Sequence, residues 1–214
     1  MKQNKPLIQL KHVSFKTTEQ VIIDDFNLDV FKGEMITITG PSGSGKSTLL
    51  KMMALLISPT SGDILYQGQS IESYSSTLYR QEVSYFFQNA TLFGNTVKDN
   101  LIFPSEIRHE TFNKQKAIEL LEKVDLNESY LNQSVDSLSG GEKQRIALIR
   151  NLMYQPEVLL MDEVTSSLDR TNREIILNLI QELNQSKQLT VLAITHNEEE
   201  IQSSSRLITL DALK

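Results

Sequence analysis

Short apolar runs alternate with helical patterns along most of the chain. The apolar runs predict strands at residues 35–39, 83–87, 158–161, 191–194 and 207–210. The runs at 158–161 and 191–194 are apolar on both faces, which is typical of a parallel sheet that is covered on each side. The alternation of strands with helices therefore predicts an α/β fold with a mainly parallel sheet.

Helix signals divide the chain into a core and an insertion. One helix is predicted over residues 47–57, and two others start at capping patterns at 139–142 and 171–174. The helix after the first of these patterns should end near Tyr154, because Pro156 cannot continue it. Residues 88–154 are mainly helical. We therefore expect a single domain over residues 1–214, with an α/β core at 1–87 and 155–214 and an inserted helical subdomain at 88–154.

Charge and composition restrict the function. The 214 residues carry a formal net charge of -6, and this acidic balance argues against nucleic acid as the main partner. The chain has no cysteine, which excludes disulfides and cysteine-based metal, redox or nucleophile chemistry. The N-terminus does not resemble a signal peptide, and no stretch approaches the roughly 18 apolar residues that cross a bilayer. We therefore expect a cytoplasmic protein that serves any membrane process from outside the lipid.

Residues 40–47 match the pattern G-x-x-x-x-G-K-[ST] between a predicted strand and a predicted helix. Glycines let such a loop wrap closely, so that its N–H groups and the helix dipole face phosphate oxygens. Lys46 supplies positive charge for the β- and γ-phosphates, and the Ser47 hydroxyl is a hard ligand for Mg²⁺. A chance glycine-rich turn is the alternative, but the flanking elements favour a nucleotide site. The predicted ATP-binding residues here are Gly40, Pro41, Ser42, Gly43, Ser44, Gly45, Lys46, Ser47 and Thr48.

Two acidic residues follow the apolar run at 158–161. We expect this strand to lie beside the strand of the phosphate loop, so that Asp162 comes near the Mg²⁺ ion. Glu163 would then orient or deprotonate the attacking water. Two solvated acids at the end of a strand are the alternative. Their position after a buried strand, downstream of a phosphate loop, favours the catalytic interpretation.

One further motif narrows the class of phosphate-loop protein, because residues 138–145 read LSGGEKQR. Together with Gln88, the acidic pair at 162–163, the run Ser-Leu-Asp at 167–169 and His196, this motif resembles the ATP-binding cassette (ABC) ATPases over essentially the whole chain. The resemblance implies a P-loop NTPase core with an antiparallel β part near the N-terminus and an inserted helical subdomain. It also implies hydrolysis of ATP to ADP and phosphate, coupled to transport across a membrane.

The resemblance assigns a role to the start of the LSGGE motif. Ser139, Gly140 and Gly141 would contact the γ-phosphate of an ATP bound by a second copy of the chain, which implies a homodimer around two ATP molecules. A capped helix start with two glycines offers free N–H groups and a helix dipole to an anion. Ser139 and Glu142 would also cap a helix without any ligand, and both interpretations can hold together.

The same resemblance assigns roles to three other polar residues. Gln88 would bind Mg²⁺ or its water and sense the membrane partner, although an isolated glutamine is more often an ordinary loop residue. Asp169 would lie at the dimer interface, and His196 would contact the γ-phosphate and hold the catalytic geometry. The predicted catalytic residues are therefore Glu163, His196, Lys46 and Gln88, and the predicted metal ligands are Ser47, Gln88 and Asp162.

Two positions depart from the family pattern. Thr17 stands where an aromatic residue usually stacks on adenine, and Val164 stands where proline usually follows the catalytic glutamate. Loss of the stacking would forfeit about 1–3 kcal/mol of binding free energy. Loss of the proline would loosen the turn after Glu163.

A finer resemblance concerns the cargo. Residues 57–62, 91–94, 99–104 and 149–152 look most like the ATPase subunits of bacterial iron-export pairs. This implies that the chain drives a separate multi-span permease for iron export, from the cytoplasmic face of the membrane. Residues 89–103 are the predicted docking surface, for which ordinary loop and core packing is the alternative. A different cargo, such as a drug, a lipid or an amino acid, stays open.

Two functions from other classes also stay open. One is an ABC ATPase that acts on nucleic acid or ribosomes, which the single cassette, the lack of a coiled-coil insert and the acidic charge disfavour. The other is a nucleotide-binding regulator without turnover, which Glu163 disfavours. No nucleic-acid partner is therefore expected.

Overall fold

The computed structural model describes residues 5–89 and 91–212. The strands are β1 (Ile8–Lys16), β2 (Val21–Val30), β3 (Met35–Thr39), β4 (Ser61–Tyr66), β5 (Gln69–Ser70), β6 (Val83–Phe86), β7 (Val158–Asp162), β8 (Thr190–Ile194) and β9 (Arg206–Thr209). The α-helices are α1 (Lys46–Met53), α2 (Ser76–Glu82), α3 (Val97–Glu106), α4 (Lys114–Glu122), α5 (Gly140–Leu152), α6 (Arg170–Lys187) and α7 (Glu198–Ser203). None of the helices in these described residues is both long enough and apolar enough to cross a bilayer.

The centre of the fold is a parallel sheet with the strand order β6-β7-β8-β3-β9. Every neighbouring pair in this sheet is parallel, and β7 is buried at each of its positions. Since the carboxyl ends of parallel strands meet at one edge, the loops after β3, β6, β7 and β8 lie together there. The α/β fold class with a mainly parallel sheet is confirmed.

The prediction that the strand before Asp162 lies beside the strand before the phosphate loop is wrong. β7 does not pair with β3, because β8 lies between them. The reason is the crossover through α6, which returns the chain to the position directly beside β7. Contact between the acidic element and the phosphate loop is made instead by α1, which packs near β7 and presents Ser47 to Asp162.

The antiparallel part near the N-terminus is confirmed as a sheet with the order β2-β1-β4-β5. Its inner face shares a buried cluster with α1 and with one face of the parallel sheet, including Ile8, Ile64, Leu50 and Leu160. Burial of this apolar surface is the main term that holds the two sheets together. The antiparallel sheet therefore fixes α1, and with it the phosphate loop, against the parallel sheet.

Helices α3, α4 and α5 cover the other face of the parallel sheet. Their apolar side chains form one cluster with β7 and α6, including Leu101, Leu121, Ile146, Met161 and Ile180. Alternate residues of β7 point to the two clusters, as expected of a strand between two layers. We retain the division at 88–154 as a proposal, and residues 1–4, 90 and 213–214 lie outside the described residues.

The first helix is shorter than its pattern predicts, since α1 ends at Met53 and not at residue 57. The phenol of Tyr79 donates to the carbonyl oxygen of Met53 at 2.6 Å, and the guanidinium of Arg80 donates to that of Leu55 at 2.6 Å. Leu55 adopts a left-handed conformation with φ 54°. These side chains satisfy carbonyl groups that a longer helix would use, so tertiary contacts end the helix early.

Candidate active site

The loop between β3 and α1 requires glycine at its two ends. Gly40 has φ 143° and Gly45 has φ 90°. A Cβ atom at Gly40 would lie 2.1 Å from the carbonyl oxygen of Leu210, and one at Gly45 would lie 3.0 Å from the side chain of Ile22. Backbone conformation and close approach therefore both exclude a side chain at these positions. Between them, Pro41, Ser42 and Gly43 are exposed.

Two polar groups of this loop are buried. The Nζ atom of Lys46 donates to the carbonyl oxygens of Gly40 and Pro41 at 2.9 and 2.8 Å. The hydroxyl of Ser44 is buried without a hydrogen-bond partner among the described residues. Most buried hydroxyl groups are hydrogen-bonded, so an orphaned one in a glycine-rich loop calls for a ligand or water. Thr48 is half-buried in the first turn of α1.

Each carboxylate oxygen of Asp162 accepts a hydrogen bond from a hydroxyl group. Ser47, in the first turn of α1, donates to Oδ1 at 2.8 Å. Tyr85, from β6, donates to Oδ2 at 2.5 Å. Burial raises the pKa of the Tyr85 phenol, and the hydrogen bond to Asp162 raises it further. The phenol therefore remains a hydrogen-bond donor at neutral pH.

Glu163 lies one residue beyond β7 and meets two other predicted site residues. The side-chain amide of Gln88 donates to its Oε2 atom at 3.3 Å, and the Nε2 atom of His196 lies 3.7 Å from its Oε1 atom. The backbone of Glu163 is left-handed, with φ 50°, which costs about 1–3 kcal/mol and is common at functional sites. Glu163 thus turns out of the strand to face the loops after β6 and β8.

Val164, at the position where the family pattern has proline, is buried. Its carbonyl oxygen accepts a hydrogen bond from the side chain of Gln144 at 3.0 Å. This contact from α5 holds the turn after Glu163.

The capping box at the start of α5 is confirmed. The Ser139 N–H donates to the Glu142 carboxylate at 2.8 Å, and the Glu142 N–H donates to the Ser139 hydroxyl at 3.3 Å. The phenol of Tyr130 also donates to Glu142, at 2.6 Å. This bond, followed by that from the Ser139 backbone, lowers the pKa of the Glu142 carboxyl. A Cβ atom at Gly140 would meet nothing within 4 Å, so the helix start is open to an approaching group.

The start of α6 differs from its predicted pattern. Asp169, and not Thr171, is the N-cap, and its carboxylate accepts from the N–H of Asn172 at 2.9 Å. The side chain of Asn172 donates to the same carboxylate at 2.6 Å, and these two bonds hold the pKa of Asp169 below its usual value. A Cβ atom at Gly141 would lie 2.5 Å from the Asn172 side chain. Asn172 therefore connects Asp169 to the LSGGE motif.

The predicted residues form two groups within one chain. Ser47, Asp162, Glu163, Gln88 and His196 follow one another through short contacts beside the phosphate loop. The second group lines a cavity of about 240 Å³ that includes Gly140, Gly141 and Asp169. Gln88 contributes to both groups. In the described residues, no hydrogen bond joins the LSGGE motif to the phosphate loop of the same chain.

Thr17 is engaged in a turn. Its hydroxyl donates to the carbonyl oxygen of Gln20 at 3.2 Å and accepts from the N–H groups of Gln20 and Glu19 at 3.1 and 3.3 Å. Phe15, two residues earlier, packs against the core. The position that the family pattern reserves for an adenine-stacking ring therefore carries a turn-forming hydroxyl.

An open groove of about 460 Å³ lies between the parallel sheet and the helical segment. Phe87, Phe93 and Phe103 line it and are all exposed. The guanidinium carbon of Arg150 lies 5.2 Å from the centre of the Phe93 ring, and Arg150 also donates to the carbonyl oxygen of Thr91 at 2.9 Å. The groove thus combines exposed aromatic rings with the half-buried positive charge of Arg150.

The sequence did not predict the side chains that hold the expected site residues in place. Tyr85 and Asn172 are two of them. A third contact joins Thr165 to Glu200, whose carboxylate accepts from the Thr165 hydroxyl at 2.7 Å. The one available signal was the tyrosine at position 85 in a strand of the parallel sheet, since the hydroxyl of such a tyrosine usually has a hydrogen-bond partner.

Residues 23–166 match the family model described as ABC transporter. The probable iron export ATP-binding protein FetA of Escherichia coli (strain K12) is 45% identical, over 98% of this chain and 93% of its own length. The ergothioneine transport ATP-binding protein EgtV of Helicobacter pylori (strain G27) is 33% identical, over 98% of this chain and 100% of its own length.

The fold leads to the same family. The dimeric structure of MJ0796, a bacterial ABC transporter cassette, superposes with a TM-score of 0.85 at 30% identity, over 95% of this chain and 94% of that chain. Sequence and fold agree along almost the whole chain, and the two groups of site residues lie on the loops that carry the motifs. The chain belongs to the ABC transporter family, as an ATP-binding and ATP-hydrolysing subunit.

Proposed function

We propose that the chain hydrolyses magnesium-bound ATP between two copies of itself and drives a separate iron-export permease from the cytoplasmic face of the membrane. The observation that carries this proposal is the convergence of four loops at one edge of the parallel sheet. Through it, Ser47 contacts Asp162, and both Gln88 and His196 lie beside Glu163.

The groups at this edge fit a magnesium-bound nucleotide. The orphaned hydroxyl of Ser44 and the glycine-shaped loop suit phosphate oxygens. Lys46 contacts only loop carbonyls in the described hydrogen bonds, and phosphate oxygens would compete for the same ammonium. Ser47 and Asp162 supply the hard oxygen ligands that Mg²⁺ prefers, and Gln88 supplies an amide oxygen. Bound there, the ion neutralises phosphate charge.

Glu163 is the residue that we propose as the general base. The Gln88 amide holds its Oε2 atom, and Oε1 faces His196. A carboxylate in this position orients a water molecule and accepts its proton. His196 is exposed, so its ring can reach a phosphate oxygen on the open side of Glu163. Positioning and charge stabilisation are the main contributions expected of a protein in phosphoryl transfer.

The separation of the two groups supports a head-to-tail dimer. The start of α5 offers N–H groups, a helix dipole and an open approach at Gly140, yet it makes no hydrogen bond to its own phosphate loop in the described residues. A second copy would bring its Ser139, Gly140 and Gly141 to that loop. Asp169, beside Gly141 through Asn172, would then lie at the interface.

The aromatic groove is the surface that we propose for the permease. Phe87, Phe93 and Phe103 offer exposed apolar area, which on a water-soluble surface often marks a binding site. Gln88 directly follows Phe87 and contacts Glu163. A permease helix that fills the groove would therefore contact Phe87, and only Gln88 would separate this contact from the carboxylate of Glu163. Ala90, within the predicted docking segment, lies outside the described residues.

Iron is proposed as the cargo because the relative with 45% identity is named for iron export. EgtV, at 33% identity, is named for ergothioneine transport, so the cassette alone does not determine the cargo. Neither name changes the ATPase assignment.

The experiment is first to determine whether a neighbouring coding sequence specifies a multi-span membrane protein, and then to purify the chain with that protein and reconstitute both in vesicles. We expect iron to stimulate ATPase activity and to cross the membrane only with ATP present. Phe103→Ala should weaken the complex, whereas Leu207→Ala, at another exposed apolar position on β9, should not. If iron left the ATPase activity unchanged and another solute stimulated it, iron would be rejected as the cargo. The assignment of the chain as a transporter ATPase would stand.

A further inference from the structure

Tyr85 joins β6 to the carboxylate at the end of β7. In the register of the two strands Tyr85 lies opposite Leu160, and its side chain extends along the strand to reach Asp162. The phenol donates to the Oδ2 atom of Asp162 at 2.5 Å, while the Ser47 hydroxyl donates to Oδ1 at 2.8 Å. Each oxygen of the carboxylate thus has its own hydroxyl donor.

The ring of Tyr85 is itself held in place. It packs edge-to-face against Phe87, with the ring centres 4.7 Å apart and an angle of 63° between the planes. Contacts of this kind restrict the orientation of an aromatic ring. The phenol oxygen is therefore a fixed donor.

A carboxylate on a single bond rotates readily, because the last torsion of aspartate has a broad profile. A metal ion needs its ligand oxygen at one place, and groups that hold a ligand from behind tune its affinity for the metal. Ser47 alone cannot do this, since it is itself a proposed ligand. The Oδ2 atom of Asp162 is anchored by a group that takes no part in phosphate binding.

We propose that Tyr85 is a positioning residue, which holds Oδ2 of Asp162 so that Oδ1 stays directed at Ser47 and at the magnesium ion. This inference rests on the proposed magnesium site. It goes further in assigning metal affinity to a side chain outside the phosphate loop and outside the motifs. If Tyr85 only satisfied a buried carboxylate, its loss would lower the stability of the fold and leave the affinity for metal unchanged.

The test measures metal binding directly. Electron paramagnetic resonance of free Mn²⁺, a probe for Mg²⁺, gives the metal affinity of the chain loaded with a non-hydrolysable ATP analogue. For Tyr85→Phe we expect affinity about tenfold to a hundredfold weaker than for the natural chain, because the group that holds a metal ligand from behind is lost. Affinity for the analogue in EDTA should stay unchanged, which also establishes that the variant is folded.

Tyr74→Phe is the matched control, because it removes a phenol that donates to the carbonyl oxygen of Tyr66 at 3.1 Å, away from the site. It should bind Mn²⁺ like the natural chain. Equal Mn²⁺ affinity in Tyr85→Phe and Tyr74→Phe would overturn the inference while leaving the magnesium site in place. If the natural chain and Asp162→Asn bound Mn²⁺ equally, the magnesium site itself would be rejected.

Discussion

The side-chain amide of Gln88 donates a hydrogen bond to the Oε2 atom of Glu163 at 3.3 Å. These residues follow β6 and β7, which are neighbours in the parallel sheet. The contact therefore joins the groove-lining segment after β6 to the proposed general base by a single hydrogen bond. A permease helix that shifts the segment at Phe87 would alter the position of Glu163 directly.

Lys46→Ala should weaken nucleotide binding by about tenfold to a hundredfold, because a hydrogen bond to a charged group contributes about 1.5–3 kcal/mol. Calorimetric titration with ATP in EDTA measures the loss without turnover. Lys51→Ala is the control, since Lys51 lies in the last turn of the same helix. Equal ATP affinity in the natural chain and in Lys46→Ala would contradict the phosphate-loop assignment.

Thr165→Val should lower the free energy of unfolding by about 1–3 kcal/mol, because the buried carboxylate of Glu200 loses its bond from the Thr165 hydroxyl. Urea denaturation of the nucleotide-free chain measures this loss. The double variant Thr165→Val with Glu200→Gln should lose less unfolding free energy than the two single variants lose together, by roughly 0.5–3 kcal/mol. Thr171→Val, at an exposed position of α6, should change little. Strict additivity would exclude a direct coupling.

Tyr130→Phe should raise the pKa of Glu142 toward its usual value, because the hydrogen bond from Tyr130 is the largest cause of the lowered pKa. A carboxyl whose pKa is lowered by folding stabilises the fold above its unfolded pKa, and this contribution disappears as the pH falls through the folded pKa. The variant should therefore lose the Glu142 contribution at a higher pH. Carboxyl carbon shifts, recorded by NMR from neutral pH downward, measure the change, and an unmoved titration would refute it.

Local signals explain which parts of the molecule were predictable. The phosphate loop and the capping box at Ser139 depend on residues within eight positions of each other, so the sequence pattern and the structure coincide. The strand order was not predictable in this way. Apolar runs such as that of β7 fit any inner position of a parallel sheet, and β8 takes the place next to β3 through contacts between distant segments.

The start of α6 illustrates competition between two similar signals. Thr171 and Glu174 have the spacing of a capping box, but Glu174 pairs with Arg170 at 2.7 Å. Asp169 accepts from the N–H of Asn172 and so caps the helix two residues earlier. A carboxylate near the positive end of the helix dipole favours this choice. Sequence spacing alone does not reveal which side chain is free to cap.

The proposed shared site is tested most directly with Glu163→Gln and ATP. The amide cannot accept the proton of the attacking water, so turnover should fall by about 10²–10⁴-fold. Light scattering after gel filtration should then give a dimer with ATP and a monomer with ADP. Glu198→Gln, at an exposed position of α7, should hydrolyse ATP at the rate of the natural chain. Full turnover by Glu163→Gln, or a monomer with ATP bound, would contradict the account.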